Sequence, residues 1–205
     1  MFNGWYDRFN RPAFKFQGDV DTHQNDWELR ALIDIYKDYS PQHVLEVGTL
    51  RGGTLYQWLT NATPDAHIIN IENFYMLDYM TNKDFIKDYC DLWQHWCPPG
   101  VRLDTLVMDC HSDEALLEVK RIFHDRVDFL FIDADHSYEA SFSDFNRYGA
   151  LVAKGGIIAL HDIKTMINRP NYRVWQLWSE IQQAGYVTRE LQVTADGKGI
   201  GVIYV

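Results

Sequence analysis

Five short apolar runs recur along the chain, each followed by a stretch of helical spacing, and this alternation restricts the fold more than any other feature. The runs are Val44 to Val47, Ala66 to Ile71, Arg102 to Met108, Val127 to Ile132 and Ile157 to Leu160. Runs that are apolar on both faces fit strands buried from two sides. Strands separated by helices call for a parallel sheet with helices over each face. The tail adds two further runs, Tyr186 to Thr194 and Ile200 to Val205, around Asp196-Gly197-Lys198-Gly199, which reads as a hairpin turn. The expected fold is α/β: a single doubly wound, mostly parallel seven-stranded sheet with an antiparallel C-terminal hairpin.

The helical stretches run from Asn25 to Tyr39, Gly53 to Leu59, about 82 to 96, Asp113 to Phe123, Tyr138 to Val152 and about Tyr172 to Ala184. Asn25 or Asp26 is placed to cap the first, and Ser112 the fourth. With 205 residues, one domain with a full core is the default. Residues 1–24 form an aromatic arm (Trp5, Tyr6, Phe9, Phe14, Phe16), read as packing on the body or a second subunit, or as a lid over a pocket. Residues 25–205 form the domain, with a helical insertion at about 73–99. In the insertion Phe85, Tyr89, Trp93 and Trp96 share one helical stripe, suited to core or subunit contact or to a substrate cage.

Bulk properties exclude several classes. No run of about 18 apolar residues is present to span a membrane, and the N-terminal segment lacks the apolar core of a signal peptide. Three cysteines without a C-x-x-C pair point to a reducing, cytoplasmic setting and away from a disulfide framework. A net charge of −10 argues against nucleic acid or an anionic membrane as partner. The partner expected instead is a small molecule, with a homo-oligomer suggested by the apolar arm.

The chemistry lies where strands end. Between His43 and Trp58 a strand leads through Gly48, Gly52 and Gly53 into a helix beginning near Thr54, an arrangement that cradles small ligands. The loop has neither the G-K-[ST] of a P-loop nor the close G-x-G-x-x-G of dinucleotide binders. Polar residues close the successive strands: Glu46 and Gly48, then Glu72, Asp109, Asp133, and His161-Asp162. Glu72 stands where a carboxylate takes both hydroxyls of a ribose. A loop without lysine in an acidic cleft favours a cationic nucleoside without phosphates over NAD or ATP.

Four segments in this order, L-E-V-G-T-L-R-G-G-T (45–54), V-M-D-C-H-S (107–112), D-F-L-F-I-D-A-D-H-S-Y-E (128–139) and K-G-G-I-I-A-L-H-D-I (154–163), make the chain resemble class I S-adenosylmethionine-dependent methyltransferases, whose fold is Rossmann-like. It is similar to small cation-dependent O-methyltransferases of the catechol and caffeoyl-CoA type, and closer to the cephalosporin-hydroxylase-like and macrolide sugar O-methyltransferase branch. The resemblance implies that the loop with Gly48, Thr49, Gly52, Gly53 and Thr54 holds the methionine part of S-adenosyl-L-methionine, with Glu46 beneath. It implies that Glu72 and neighbouring Asn73 hold the ribose, and that Asp109, Cys110 and His111 frame the adenine, with Asp133 beside the cofactor.

In cation-dependent members the aspartate ending strand four and the pair ending strand five bind a divalent metal, Mg or Mn. Here those positions are Asp133, His161 and Asp162, with Asp135 an alternative to Asp133. The relatives' more frequent pair is Asp-Asn, and their lysine three places after the first aspartate is His136 here. The implied reaction is metal-assisted methyl transfer to a hydroxyl of a sugar or phenol, with Asp133 at the reacting centre and His136 as base. The alternatives are a non-catalytic binding protein that keeps the fold and a nicotinamide-dependent oxidoreductase.

Overall fold

In the structure, a computed structural model, residues 14–15, 21–22, 24–75, 83–191 and 198–205 are described. Most of the N-terminal arm, part of the aromatic insertion and the hairpin turn lie outside the described residues. The main sheet has seven strands: β1 (His43–Val47), β2 (His67–Ile71), β3 (Arg102–Leu106), β4 (Val127–Ile132), β5 (Val152–His161), β6 (Val187–Leu191) and β7 (Ile200–Tyr204). Their spatial order is β3-β2-β1-β4-β5-β7-β6, parallel except where β7 pairs with β5 and β6. The expected fold is the observed one. Among the described residues six helices connect and cover the strands: α1 (Asp26–Tyr39), α2 (Gly53–Thr60), α3 (Lys83–Trp96), α4 (Asp113–Phe123), α5 (Tyr138–Gly149) and α6 (Val174–Gln183).

The period-2 alternation of the strands feeds two cores. Leu45, Val47, Leu130 and Ile132 face α4, α5 and α6 through Val119, Phe123, Tyr148, Leu177 and Trp178. Val44, Phe129 and Phe131 face α1, α2 and α3 through Leu29, Leu32, Tyr36, Trp58 and Trp93. Asn25 caps α1 by accepting the Trp27 N–H, and Ser112 caps α4 by accepting the Ala115 N–H. Of the two readings of the aromatic stripe, packing is the one observed. Trp93 is fully buried and stacks on Phe74 with ring centroids 5.6 Å apart, while Trp96 meets Tyr56 of α2 edge-on.

Two sequence boundaries need correction. Helix α5 ends at Gly149 rather than Val152, and β5 begins at Val152 rather than Ile157. The pair Gly155-Gly156, which falls between the expected helix to Val152 and the expected strand from Ile157, is an irregularity inside β5: the pairing register with β4 shifts there, and Gly155 adopts φ 85°. Its N–H still donates to the Val205 carbonyl, so the backbone remains paired through the bulge.

Burial separates the tryptophans. Trp93→Ala should lower stability by about 3–5 kcal/mol, the usual cost of emptying a large aromatic site, whereas Trp27→Ala, at a side chain 62% exposed, should stay within about 0.5 kcal/mol. Urea unfolding of both variants measures the contrast, and equal losses would contradict the core assignment.

Candidate active site

Parallel register brings the strand ends into one row. Val47 pairs with Ile71 and Ile132, Ile132 with Leu160, and Ile71 with Leu106. The next residues, Gly48, Glu72, Asp133 and His161, therefore stand side by side at the carboxyl edge. Ladder bonds extend there: the Gly48 N–H donates to the Ile71 carbonyl and the Asp133 N–H to the Val47 carbonyl. The strand order reverses between β1 and β4, the position at which open α/β sheets hold ligands.

Gly48 is required at this switch point. A Cβ there would lie 2.3 Å from the Asp133 carbonyl oxygen, and its φ of 88° is disfavoured for any side chain. Gly52, with φ 86°, has the Trp93 indole nitrogen 2.3 Å from where a Cβ would stand. Glycine at the N-cap of α2 also leaves no side chain capping the first turn. Beneath the loop lies Glu46, fully buried; it accepts the hydroxyls of Thr49 and Thr54 and, at 3.0 Å, the Trp58 indole N–H. Asn70 extends this network by donating to Thr49 Oγ1 and accepting from the Thr105 hydroxyl. Burial pushes the Glu46 carboxyl up to about 7, against the pull of these donors. Glu72 is also buried: Oε2 accepts the N–H groups of Thr49 at 3.0 Å and Leu50 at 2.5 Å, and Oε1 accepts that of Phe74. Asn73 is exposed and accepts the Tyr75 N–H.

Beside the loop, four groups converge from β4 and β5. Asp133 Oδ1 lies 2.9 Å from His161 Nδ1 and 3.5 Å from His136 Nε2, and His136 Nε2 lies 2.8 Å from Asp162 Oδ2. His161 Nδ1 is also 3.5 Å from Asp162 Oδ1. Asp162 is fully buried with φ 60°, a left-handed backbone that aspartate tolerates better than most residues. Tyr172 stacks on the His136 ring at 4.2 Å, and the Arg173 N–H donates to the His136 carbonyl, so the ring is held from above. Burial disfavours every charge here, but the opposed charges win. Both aspartates are held below the usual carboxylate range, Asp133 mainly by His161 with His136 adding, and Asp162 by His161 and then His136. Asp133 and Asp162 in turn raise both imidazoles, His136 to about 10.

Ligand atoms of these four residues lie within 4.8 Å of one another. Neither Asp162 oxygen nor His161 Nε2 has a hydrogen-bond partner of good geometry among the described residues, although all are buried. Buried polar atoms left in this way call for a further partner. Two carboxylates with two imidazoles form a suitable donor set for a divalent cation, and the imidazoles make it softer than an all-oxygen set. Asp135, the alternative ligand, is turned elsewhere and accepts the Ser137 N–H at 2.7 Å.

The third corner is the β3–α4 loop. Asp109 is exposed and accepts the His111 N–H, Cys110 is buried with its carbonyl accepting the Tyr148 hydroxyl, and His111 is half-buried between Asp109 and Asp144.

A family model described as "Methyltransferase domain" matches residues 45–163, more than half of the chain. The chain belongs to this family. Solved structures agree in fold: an O-methyltransferase from Bacillus cereus in complex with S-adenosylhomocysteine is 16% identical, covering 92% of this chain and 84% of its own, with a TM-score of 0.61. TomG from Streptomyces achromogenes, an O-methyltransferase involved in tomaymycin synthesis, in complex with S-adenosylmethionine, is 14% identical, covering 90% and 82%, with a TM-score of 0.64. An uncharacterized protein of Acanthamoeba polyphaga mimivirus is 42% identical over 50 residues, 24% of this chain; the match spans only 23% of that protein's length.

Sequence reading placed Gln24 with the arm, yet its amide donates to Asp133 Oδ2 at 2.5 Å. Buried Glu28, which accepts the Gly199 N–H at 3.2 Å, and Lys198, 3.8 Å from Asp162, were not foreseen either. No local motif marks residues that meet across such separations.

Glu46 supplies a pH dependence. Its folded value, raised from 4.5 to about 7, favours the protonated form, so its contribution to stability is complete below about 4.5 and is lost as pH rises through about 7. Over that window the wild-type protein should lose up to about 1.4 kcal/mol per pH unit relative to Glu46→Gln. Denaturant melts of both proteins across the window measure it, and parallel pH profiles would contradict it.

Proposed function

We propose that this methyltransferase moves the methyl group of S-adenosyl-L-methionine to a hydroxyl oxygen of a small molecule, a sugar or a phenol. The observation that carries the reading is adjacency: the glycine loop suited to the cofactor touches the backbone of Asp133, whose side chain belongs to the carboxylate–imidazole cluster. Cofactor and acceptor oxygen then meet across the switch point. The Gly48–Thr54 loop takes the methionine part, Glu72 and Asn73 the ribose, and Asp109, Cys110 and His111 border the adenine. Glu72 exchanges the loop N–H groups it holds for ribose hydroxyls.

On the acceptor side, Asp133, His161 and Asp162 would hold a divalent cation of the Mg or Mn class, with His136 beside it. A bound cation there supplies Lewis-acid stabilisation of the acceptor's alkoxide. His136 is the reachable imidazole, with its side chain 25% exposed against 1% for His161, so it exchanges the proton. It enters the reaction as a base only after giving up the proton that Asp133 and Asp162 stabilise on it. Tyr172 keeps its ring plane fixed during that exchange. The oxygen attacks the methyl carbon in line with the sulfonium, leaving S-adenosylhomocysteine, the methyl ether and one proton. Alignment of the reactants can account for about 7–11 kcal/mol of the barrier.

S-adenosylhomocysteine at about 100 times its Kd should raise the melting temperature by roughly 5–11 °C, and NAD should not. Absence of the first shift removes the cofactor reading. Glu72→Ala should weaken that binding about 10-fold or more, since a charge-assisted hydrogen bond is lost; unchanged affinity would refute the ribose role.

With an acceptor found by screening sugars and phenols, His136→Ala should slow methyl transfer by about 10²- to 10⁴-fold, the usual worth of a general base. Asp133→Ala and chelator should each slow it as well. Transfer indifferent to both would exclude metal assistance while leaving the cofactor assignment standing, and cofactor binding without transfer to any hydroxyl would favour a binding protein.

A further inference from the structure

A second group of metal-ligating atoms lies outside the Asp133 cluster. Asp109, Cys110 and His111 bring one ligand atom each within 4.8 Å of the others. His111 Nδ1 is 3.8 Å from Cys110 Sγ and 3.4 Å from Asp109 Oδ1. Tetrahedral zinc bonds of about 2.0–2.3 Å place neighbouring ligand atoms roughly 3.3–3.8 Å apart, so these separations already fit.

A separate observation points to the same place. Asp144 of α5 is fully buried; its Oδ2 accepts the Cys110 thiol at 4.0 Å, while its Oδ1, without a hydrogen-bond partner among the described residues, lies 3.4 Å from His111 Nε2, which also lacks one. An imidazole that ligates through Nδ1 keeps its proton on Nε2, and that proton is then directed at the Asp144 carboxylate. Carboxylates in this position orient and strengthen histidine ligands. Both orphaned atoms thereby gain a role. Of the other groups facing the loop, Arg147 donates to the Ser112 carbonyl and pairs with Asp113, its Nε keeping no hydrogen-bond partner among the described residues, and the Tyr148 hydroxyl donates to the Cys110 carbonyl.

We propose that Asp109, Cys110 and His111, backed by Asp144, form a site for a thiophilic divalent cation such as zinc, and that this ion and the nucleoside exclude each other. Binding displaces the Cys110 thiol proton to solvent and leaves a fourth coordination position open on the exposed side of Asp109. The exclusion rests on the adenine assignment made above; the ion site does not.

Cobalt(II) added to the metal-free protein tests the site, because only a cysteine ligand gives thiolate-to-cobalt charge-transfer absorption in the near ultraviolet. The wild-type protein should show this band, as should the Asp133→Ala protein and the Cys90→Ser/Cys97→Ser double variant. Cys110→Ser and the less buried His111→Gln should each abolish it, and Asp144→Asn should weaken cobalt binding about 10- to 100-fold. Absence of the band from the wild-type protein, or its survival in His111→Gln, would overturn the site. S-adenosylhomocysteine should bleach the band, and a band that persists with the nucleoside bound would overturn the exclusion. Failure of the nucleoside to bind metal-free protein would instead remove the cofactor reading, leaving the site to be judged by the band.

Discussion

The backbone contact between β1 and β4 governs the rest of the molecule. Where the strand order reverses, Gly48 lies so close to the Asp133 carbonyl that no side chain fits between them. This closeness follows from the parallel ladder, which carries the last residues of both strands to the same level. It sets the distance from the glycine loop to the β4–β5 cluster, and with it the distance between whatever the two hold. A shift of register by one residue would turn the acids to the opposite face and bury apolar side chains at the edge instead.

Around this contact the polar groups divide by how they are satisfied. Glu46, Thr49, Thr54, Trp58, Asn70 and Thr105 form a closed set of hydrogen bonds under the loop, and such sets rigidify what they support. The cluster at Asp133 differs. Its opposed charges offset one another, yet buried atoms of Asp162 and His161 remain without hydrogen-bond partners among the described residues. A rigid loop beside an incompletely satisfied charge cluster is the division expected between a binding element and a reactive one.

Much of this was legible in the sequence because it depends on local signals. Apolar runs mark β1 to β4, Asn25 and Ser112 mark helix starts, and the polar residue after each run marks the carboxyl edge. The first half of β5 was not legible, since Gly155 and Gly156 carry a turn signal although their backbone stays paired through a bulge. Nor were the contacts of Gln24 with Asp133, 109 positions apart, or of Glu28 with Gly199, 171 apart. Neither residue has a neighbour in sequence that announces a partner, and only the closed sheet brings them together. Asp144 is a similar case: within α5 its sequence context is that of a solvated helix residue, and its burial comes from the packing of α5 beside the β3–α4 loop.

The tryptophan that anchors α3 has a consequence for how such a protein can diversify. Trp93 fills the space above Gly52 and donates its indole N–H to the Arg51 carbonyl, so the aromatic insertion forms part of the wall of the glycine loop. An exchange of the insertion for one of different shape, made to admit another acceptor, would withdraw that wall. Transplants between relatives must therefore carry Trp93 and Gly52 as a matched pair, because selection on the insertion and selection on the loop act on a single joint.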